Sequence, residues 1–357
     1  MPGPRASPIR GAWSTAVAGV LLGVLGCRAG PERYTFQEAH MGTVFRIVLY
    51  ADSEARALQG AEGAFARIAD LEAQLSDYDP ESELSRLSGR TAWQRVSLDL
   101  WRNLQLSKRI GEASEGAFDV TLGALSRVWR RARRKGQAPP QARLDEALSQ
   151  VGFASLELDA PTRSVRLLEP DMRLDLGGIA KGDALDEALS VLRAHGIERA
   201  LVDGGGDLAL GAPPPGLSGW SVALPRGGPG DTGVEWIRVA HAGVATSGDT
   251  ERGFVYEGQR YSHLIDPRTG LALVDSPIVT VLAPTGAEAD AWASALSVSG
   301  ARGLKALVRF GGEARLLPRG GADGVKMTTA GFPERLSSKA ESALGKPRIA
   351  PTPAPTL

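Results

Sequence analysis

The sequence predicts an α+β fold in which helices pack on mixed, largely antiparallel sheets. Three observations predict it. Apolar runs of strand period, such as TVFRIVLY at residues 43–50, alternate with longer segments whose apolar residues recur at helical spacing. Strand-like runs are joined by turns too short for a parallel crossover, as at Asp159-Ala160-Pro161. No internal repeat divides the 357 residues, a length that one large body can fill.

Taken in order, the first element is a leader. Arg5 and Arg10 precede an apolar run, residues 11–26, and no acidic residue appears before Glu32. That is the pattern of a secretory signal. The run is shorter than the ~20 apolar residues of a membrane span. It ends Val24-Leu25-Gly26-Cys27, and Cys27 is the only cysteine, which excludes an internal disulfide and a thiolate zinc site. The placement resembles a bacterial lipobox. Residues 1–26 are therefore expected to be a lipoprotein signal peptide, Cys27 the lipidation site and 27–33 a linker. The mature protein is expected to face the periplasm, lipid-anchored to the outer or inner membrane.

A catalytic body is expected over 34–317. Strand signal covers Tyr34–Tyr50, then Glu54–Leu75 reads as a helix capped by Ser53. Asp77-Tyr78-Asp79-Pro80 breaks it, and Leu98–Ser114 reads as the next helix. Arg127–Lys135 holds six basic residues, which read as a solvated helix end or loop. A hairpin is expected over Leu156–Leu168, a short strand at Arg173–Leu176, an amphipathic helix over Lys181–His195 and a strand at Arg199–Asp203. From Pro318 the chain is rich in Gly, Pro, Ser, Thr and Ala, so 318–357 is expected to be largely disordered. Part of Val325–Phe332 has the makings of a last strand. Lys+Arg and Asp+Glu both number 41, so no bulk field draws the protein to nucleic acid.

Three clusters carry chemistry. DLGGIAKG at 175–182 has the layout of a phosphate cradle: glycines admit close approach, a helix N-terminus favours an anion, and Lys181 adds a full charge. Purely structural glycines explain it equally well. His263 lies in a dense polar stretch, YSHLIDPRTG at 261–270, where an imidazole is able to take a proton from an alcohol or simply to bond the turn. Asp290 and Ser294, four apart on one helix face, suit a hard cation such as Mg²⁺. Helix-start and packing roles are the alternatives there.

Together the clusters resemble the ApbE-type family, the FAD:protein FMN transferases. Matching segments run in family order from Met41-Gly42-Thr43 through Ser76-Asp77-Tyr78, GAFDVTLG at 116–123, DLGGIAKG, LVDGGGDLALG at 201–211, TSGD at 246–249 and HLIDPRTG at 263–270 to Asp290–Ser294. The resemblance implies an ApbE-like flavin transferase fold. It also implies Mg²⁺-dependent transfer of FMN from FAD, the substrate, to a Ser or Thr hydroxyl of a target flavoprotein, with release of AMP. Implied targets are subunits of Na⁺-pumping NADH:quinone reductase or Rnf-type complexes. By the same resemblance Met41 and Tyr78 pack on the flavin ring, Asp119 bonds the ligand and Lys181 reaches phosphate or the adenosine half. The metal takes Asp290, Ser294 and the carbonyl of Gly178. His263, also counted with the cofactor-binding residues, and Asp290 are alternative bases. FAD pyrophosphatase activity and non-enzymatic flavin binding remain alternatives. Two departures stand out: Ser294 where the family usually has Thr, and Asp183 where it usually has an aromatic, which places a negative charge near the expected phosphate site.

Overall fold

The computed structural model describes residues 30–226, 233–248, 253–274, 276–318 and 326–336, so Cys27, the leader and Asp249 lie outside the described residues. A compact body begins at Pro31. It opens on a hairpin, β1 (Glu32–His40) and β2 (Thr43–Ala51), whose two-residue turn places Met41 at φ 49° and Gly42 at φ 70°. Ser53 caps α1 (Glu54–Leu75) as expected, its hydroxyl accepting the amide of Arg56. A short α2 (Glu83–Leu87), β3 (Gln94–Arg95) and α3 (Leu98–Ala113) follow, and α4 (Gly123–Lys135) ends at left-handed Gly136. After α5 (Gln141–Leu148) comes the expected hairpin, β4 (Leu156–Asp159) and β5 (Ser164–Leu167).

The remaining elements are α6 (Ala180–Ala194), β6 (Ala200–Gly204), β7 (Asp207–Leu210), β8 (Trp220–Pro225), β9 (Val234–Val239), β10 (Ala242–Ser247), β11 (Phe254–Tyr256), β12 (Gln259–Ile265), β13 (Ala272–Val274), β14 (Ile278–Ala283), α7 (Gly286–Ser299), α8 (Leu304–Arg309), β15 (Glu313–Leu317) and β16 (Met327–Thr328). Arg173–Leu176 does not form the expected strand. It makes a single parallel bridge, Leu122 to Arg173, because the facing stretch is the loop entering α4 rather than a strand. Every ladder among the described residues is antiparallel.

The largest sheet orders its strands β1-β2-β6-β7-β10-β14-β15-β16. Strand alternation sends Phe45, Ile47 and Leu49 into the core shared with α1, α6 and α7, and Val48 into the core on the other face, which the β8–β9 ribbon covers. The sheet is thus sandwiched between helices and a ribbon, and its central strands are apolar on both faces. A third core joins α4 and α5 to the small β11-β12-β13 sheet through Leu125, Trp129, Leu144, Ile265 and Ala272. Within the segment expected to be a disordered tail, residues 326–336 return to the body. Their β16 pairs with β15, Phe332 is buried, and Leu336 donates its amide to the Trp236 carbonyl at 2.7 Å.

Candidate active site

The site is built where α6 and α7 begin. These helices touch backbone to backbone. A Cβ on Gly182 would stand 2.3 Å from the Gly286 carbonyl oxygen, and one on Gly286 would stand 2.8 Å from that of Gly182. Gly243 of β10 admits the Thr285 carbonyl in the same way, at 2.3 Å. Asp186 of α6 then fastens the start of α7, accepting the amides of Gly286 at 2.7 Å and Ala287 at 3.0 Å. Burial outweighs those two bonds and pushes its carboxyl up to about 7.

This contact puts the α6 residues against Asp290, one turn into the buried α7. The Gly182 amide donates to Asp290 Oδ2 at 3.2 Å, and Lys181 Nζ lies 3.7 Å from the same oxygen. Lys181 also pairs with Asp207, a residue not singled out from the sequence. Asp207 follows the Gly204–Gly206 turn, whose Gly205 and Gly206 need φ of 66° and 98°, and its other oxygen accepts the Thr246 amide at 3.1 Å. The signal was present in GGGD, where a carboxylate follows a glycine turn. Gly178 completes the group: a Cβ there would stand 3.1 Å from Ser294 Oγ and 3.3 Å from the Phe118 ring. Gly178 thus meets Ser294 on the helix that carries Asp290, and a carbonyl, a hydroxyl and a carboxylate from these three residues would make a hard donor set of the kind Mg²⁺ takes. Among the described residues no three His, Cys, Asp or Glu side chains form a metal cluster.

The cradle differs from expectation in one respect. The amides of Gly177, Ile179, Ala180 and Gly182 already donate to Asp175, to Leu176 (twice) and to Asp290. The α6 N-terminus thus serves Asp290, itself an anion, and a phosphate would meet Lys181 rather than a ring of free amides. Asp183 is also corrected. Two residues beyond Lys181 on the helix, it turns away to Asn103 at 2.8 Å and Arg102 at 3.4 Å of α3. Its charge feeds a network with Asp99, Glu187 and Arg67 instead of the phosphate site.

The other predicted residues lie on neighbouring turns and strands. Met41 holds its left-handed conformation with its amide on Glu72 at 2.7 Å, and neighbouring Thr43 packs on Gly205 beside Asp207. Asp119 is buried, and its Oδ1 accepts both the amide and the hydroxyl of Thr121 at 2.7 Å. Burial raises its carboxyl, and it acts here as a turn-capping group one residue from the Phe118 ring that abuts Gly178. His263 is an exposed residue of β12, a strand that packs on α4 and α7. Tyr78 is 73% exposed, with the Arg130 guanidinium 4.2 Å from its ring centre. Arg130, lost to sequence reading inside a basic run, also pairs with Asp77 and with Asp175. Arg127, Arg131, Arg133, Arg134 and Lys135 are exposed, as a solvated helix end should be.

A model of the ApbE family matches residues 41–316. The chain belongs to the ApbE family. It is 33% identical over 311 residues to the FAD:protein FMN transferase of Treponema pallidum, covering 81% of this chain and 86% of that protein. With the Vibrio cholerae protein of the same name it shares 30% over 298 residues, covering 81% and 87%. Among solved structures, the V. cholerae flavin transferase ApbE superposes with a TM-score of 0.75 at 25% identity, over 85% of this chain and 98% of that one. The ApbE protein of Thermotoga maritima gives 0.74 at 29%, over 84% and 98%. The ApbE match begins at the Met41 turn and ends on β15, so it takes in the whole site.

Proposed function

We propose that the protein is an FAD:protein FMN transferase. The observation that carries the reading is the α6–α7 contact, which gathers Lys181, Asp290, Ser294 and Gly178 in a chain of the ApbE family. Lys181, held in place by Asp207, binds the pyrophosphate of FAD and offsets charge building on the departing AMP. The hydroxyl oxygen of a Ser or Thr on the target forms the new bond to the FMN phosphorus. The bond from that phosphorus to the AMP oxygen breaks, AMP leaves with the electron pair, and the hydroxyl proton passes to His263 or Asp290. Gly178, through its carbonyl, Asp290 and Ser294 would hold Mg²⁺, which when bound supplies Lewis-acid polarisation of the pyrophosphate. Met41 and Tyr78 supply packing surfaces for the flavin ring, and Asp119 supports the ligand through the turn it caps.

The targets we propose are flavin-carrying subunits of Na⁺-pumping NADH:quinone reductase or Rnf-type complexes. The body works on the periplasmic side, tethered through lipidated Cys27. The basic, apolar leader ending in Cys27 supports this. Incubating the protein with FAD, Mg²⁺ and such a subunit tests the activity. Flavin fluorescence on the subunit, with AMP released in step, is the expected result. AMP without a labelled subunit would instead identify an FAD pyrophosphatase.

A further inference from the structure

We propose that Arg130 is a positioning residue that locks the flavin platform to the pyrophosphate turn. The proposal rests on the flavin reading above. Arg130 sits on α4 with its side chain one-fifth exposed, between two nearly buried carboxylates. One arm of its guanidinium pairs with Asp77, beside Tyr78, and Nη2 donates to Asp175 Oδ2 at 2.8 Å. Asp175 in turn accepts the Gly177 amide at 2.8 Å, one residue before Gly178. The guanidinium plane also underlies the Tyr78 ring at 4.2 Å, while that ring stays largely exposed. One rigid fork therefore fixes a stacking surface and the metal-side turn in a single geometry. Trp129, its neighbour, donates Nε1 to the Gly270 carbonyl at 2.8 Å and so fixes the turn after His263 from the same helix.

Removing the arginine leaves two acids side by side with nothing between them. Burial and Asp175 already push the Asp77 carboxyl upward even with Arg130 present. The loop and the turn would separate, and FAD would lose a preformed surface. Lysine restores the charge, but it cannot bridge both acids or stack as a plane.

The test is equilibrium binding of FAD, without Mg²⁺, to the full chain, alongside thermal unfolding and steady-state kinetics. Arg130→Gln should weaken FAD binding about tenfold or more and raise KM more than it lowers kcat. Arg130→Lys should recover most of the thermal stability but little of the FAD affinity, a separation that a merely structural role does not produce. In a Tyr78→Ala background, Arg130→Gln should cost clearly less than in the wild type. FAD affinity within about twofold of wild type in Arg130→Gln, effects that multiply independently, or unfolding of both Arg130 variants would overturn the proposal. Failure of the wild type itself to bind FAD would overturn the flavin reading first, and this proposal with it.

Discussion

Lys181 answers to two carboxylates in the resting protein, Asp207 and Asp290, so its ammonium is held in place before any phosphate arrives. Removing Asp290 takes away the carboxylate of the proposed cation site. Asp290→Ala should therefore cost at least about 10²-fold in FMN transfer while FAD still binds, measured by AMP release and flavin binding. Asp207→Asn should raise KM for FAD with little change in unfolding temperature, because it loosens Lys181 without emptying the core. Asp186 makes a pH prediction. Its folded-state value, about 7, lies above the ordinary 3.8, so its contribution to stability is full below about 4 and is lost as pH rises through about 7. The unfolding temperature of the wild type relative to Asp186→Asn should accordingly fall between about pH 4 and pH 7 and level off above that. At this scale the sequence singled out Lys181, Asp290 and Ser294, which the fold brings to the α6–α7 contact, while their roles were implied by the family resemblance rather than by spacing. Asp207 and Arg130 stayed hidden because their partners are distant in sequence, and Asp183 misled because one residue number does not say which side of a helix it faces.

The helices place these residues, and they do so by close approach. At Gly182 a methyl group has nowhere to go against the Gly286 backbone. Gly182→Ala should cost about 1–3 kcal/mol and push α6 from α7, so flavinylation should fall further than the shift in unfolding temperature accounts for. Trp129→Phe leaves the Gly270 carbonyl without its donor and should cost about 1–3 kcal/mol, with reduced transfer as the turn after His263 loosens. Calorimetry paired with activity checks both. Elements with strong local signals were legible in the sequence: α1 begins after its Ser53 cap, and α6 starts one residue before the expected Lys181. Arg173–Leu176 was not, since a four-residue run of alternating charged and apolar residues acquires strand character only from a partner strand, and here the partner is a loop.

Over the whole molecule, the helical layer carries the site and the ribbon layer supports the sheet beneath it. Arg315 is buried on β15, paired with Glu235 of the ribbon, and Lys326 reaches the same carboxylate at 3.1 Å. Burial pulls the Arg315 guanidinium down to about 10. A chain ending at Leu317 would lose β16, Phe332 and Lys326. It should unfold at lower temperature and associate through the exposed β15 edge, as light scattering would record. The α+β class, helices packed on largely antiparallel sheets, could be foreseen from strand period and short turns. Its strand order could not, because β2 beside β6 and β10 beside β14 are long-range pairings that no local pattern encodes. We place the proposed transfer of FMN from FAD to a protein hydroxyl at the α6–α7 junction. It is tested most directly by incubating wild type and Asp290→Ala with FAD, Mg²⁺ and a flavin-carrying Rnf-type subunit, then reading flavin fluorescence on the denatured subunit. Covalent fluorescence with one AMP per labelled subunit is expected for the wild type and neither for the variant; an unlabelled subunit with the wild type, or equal labelling by the variant, would rule out transfer at this junction.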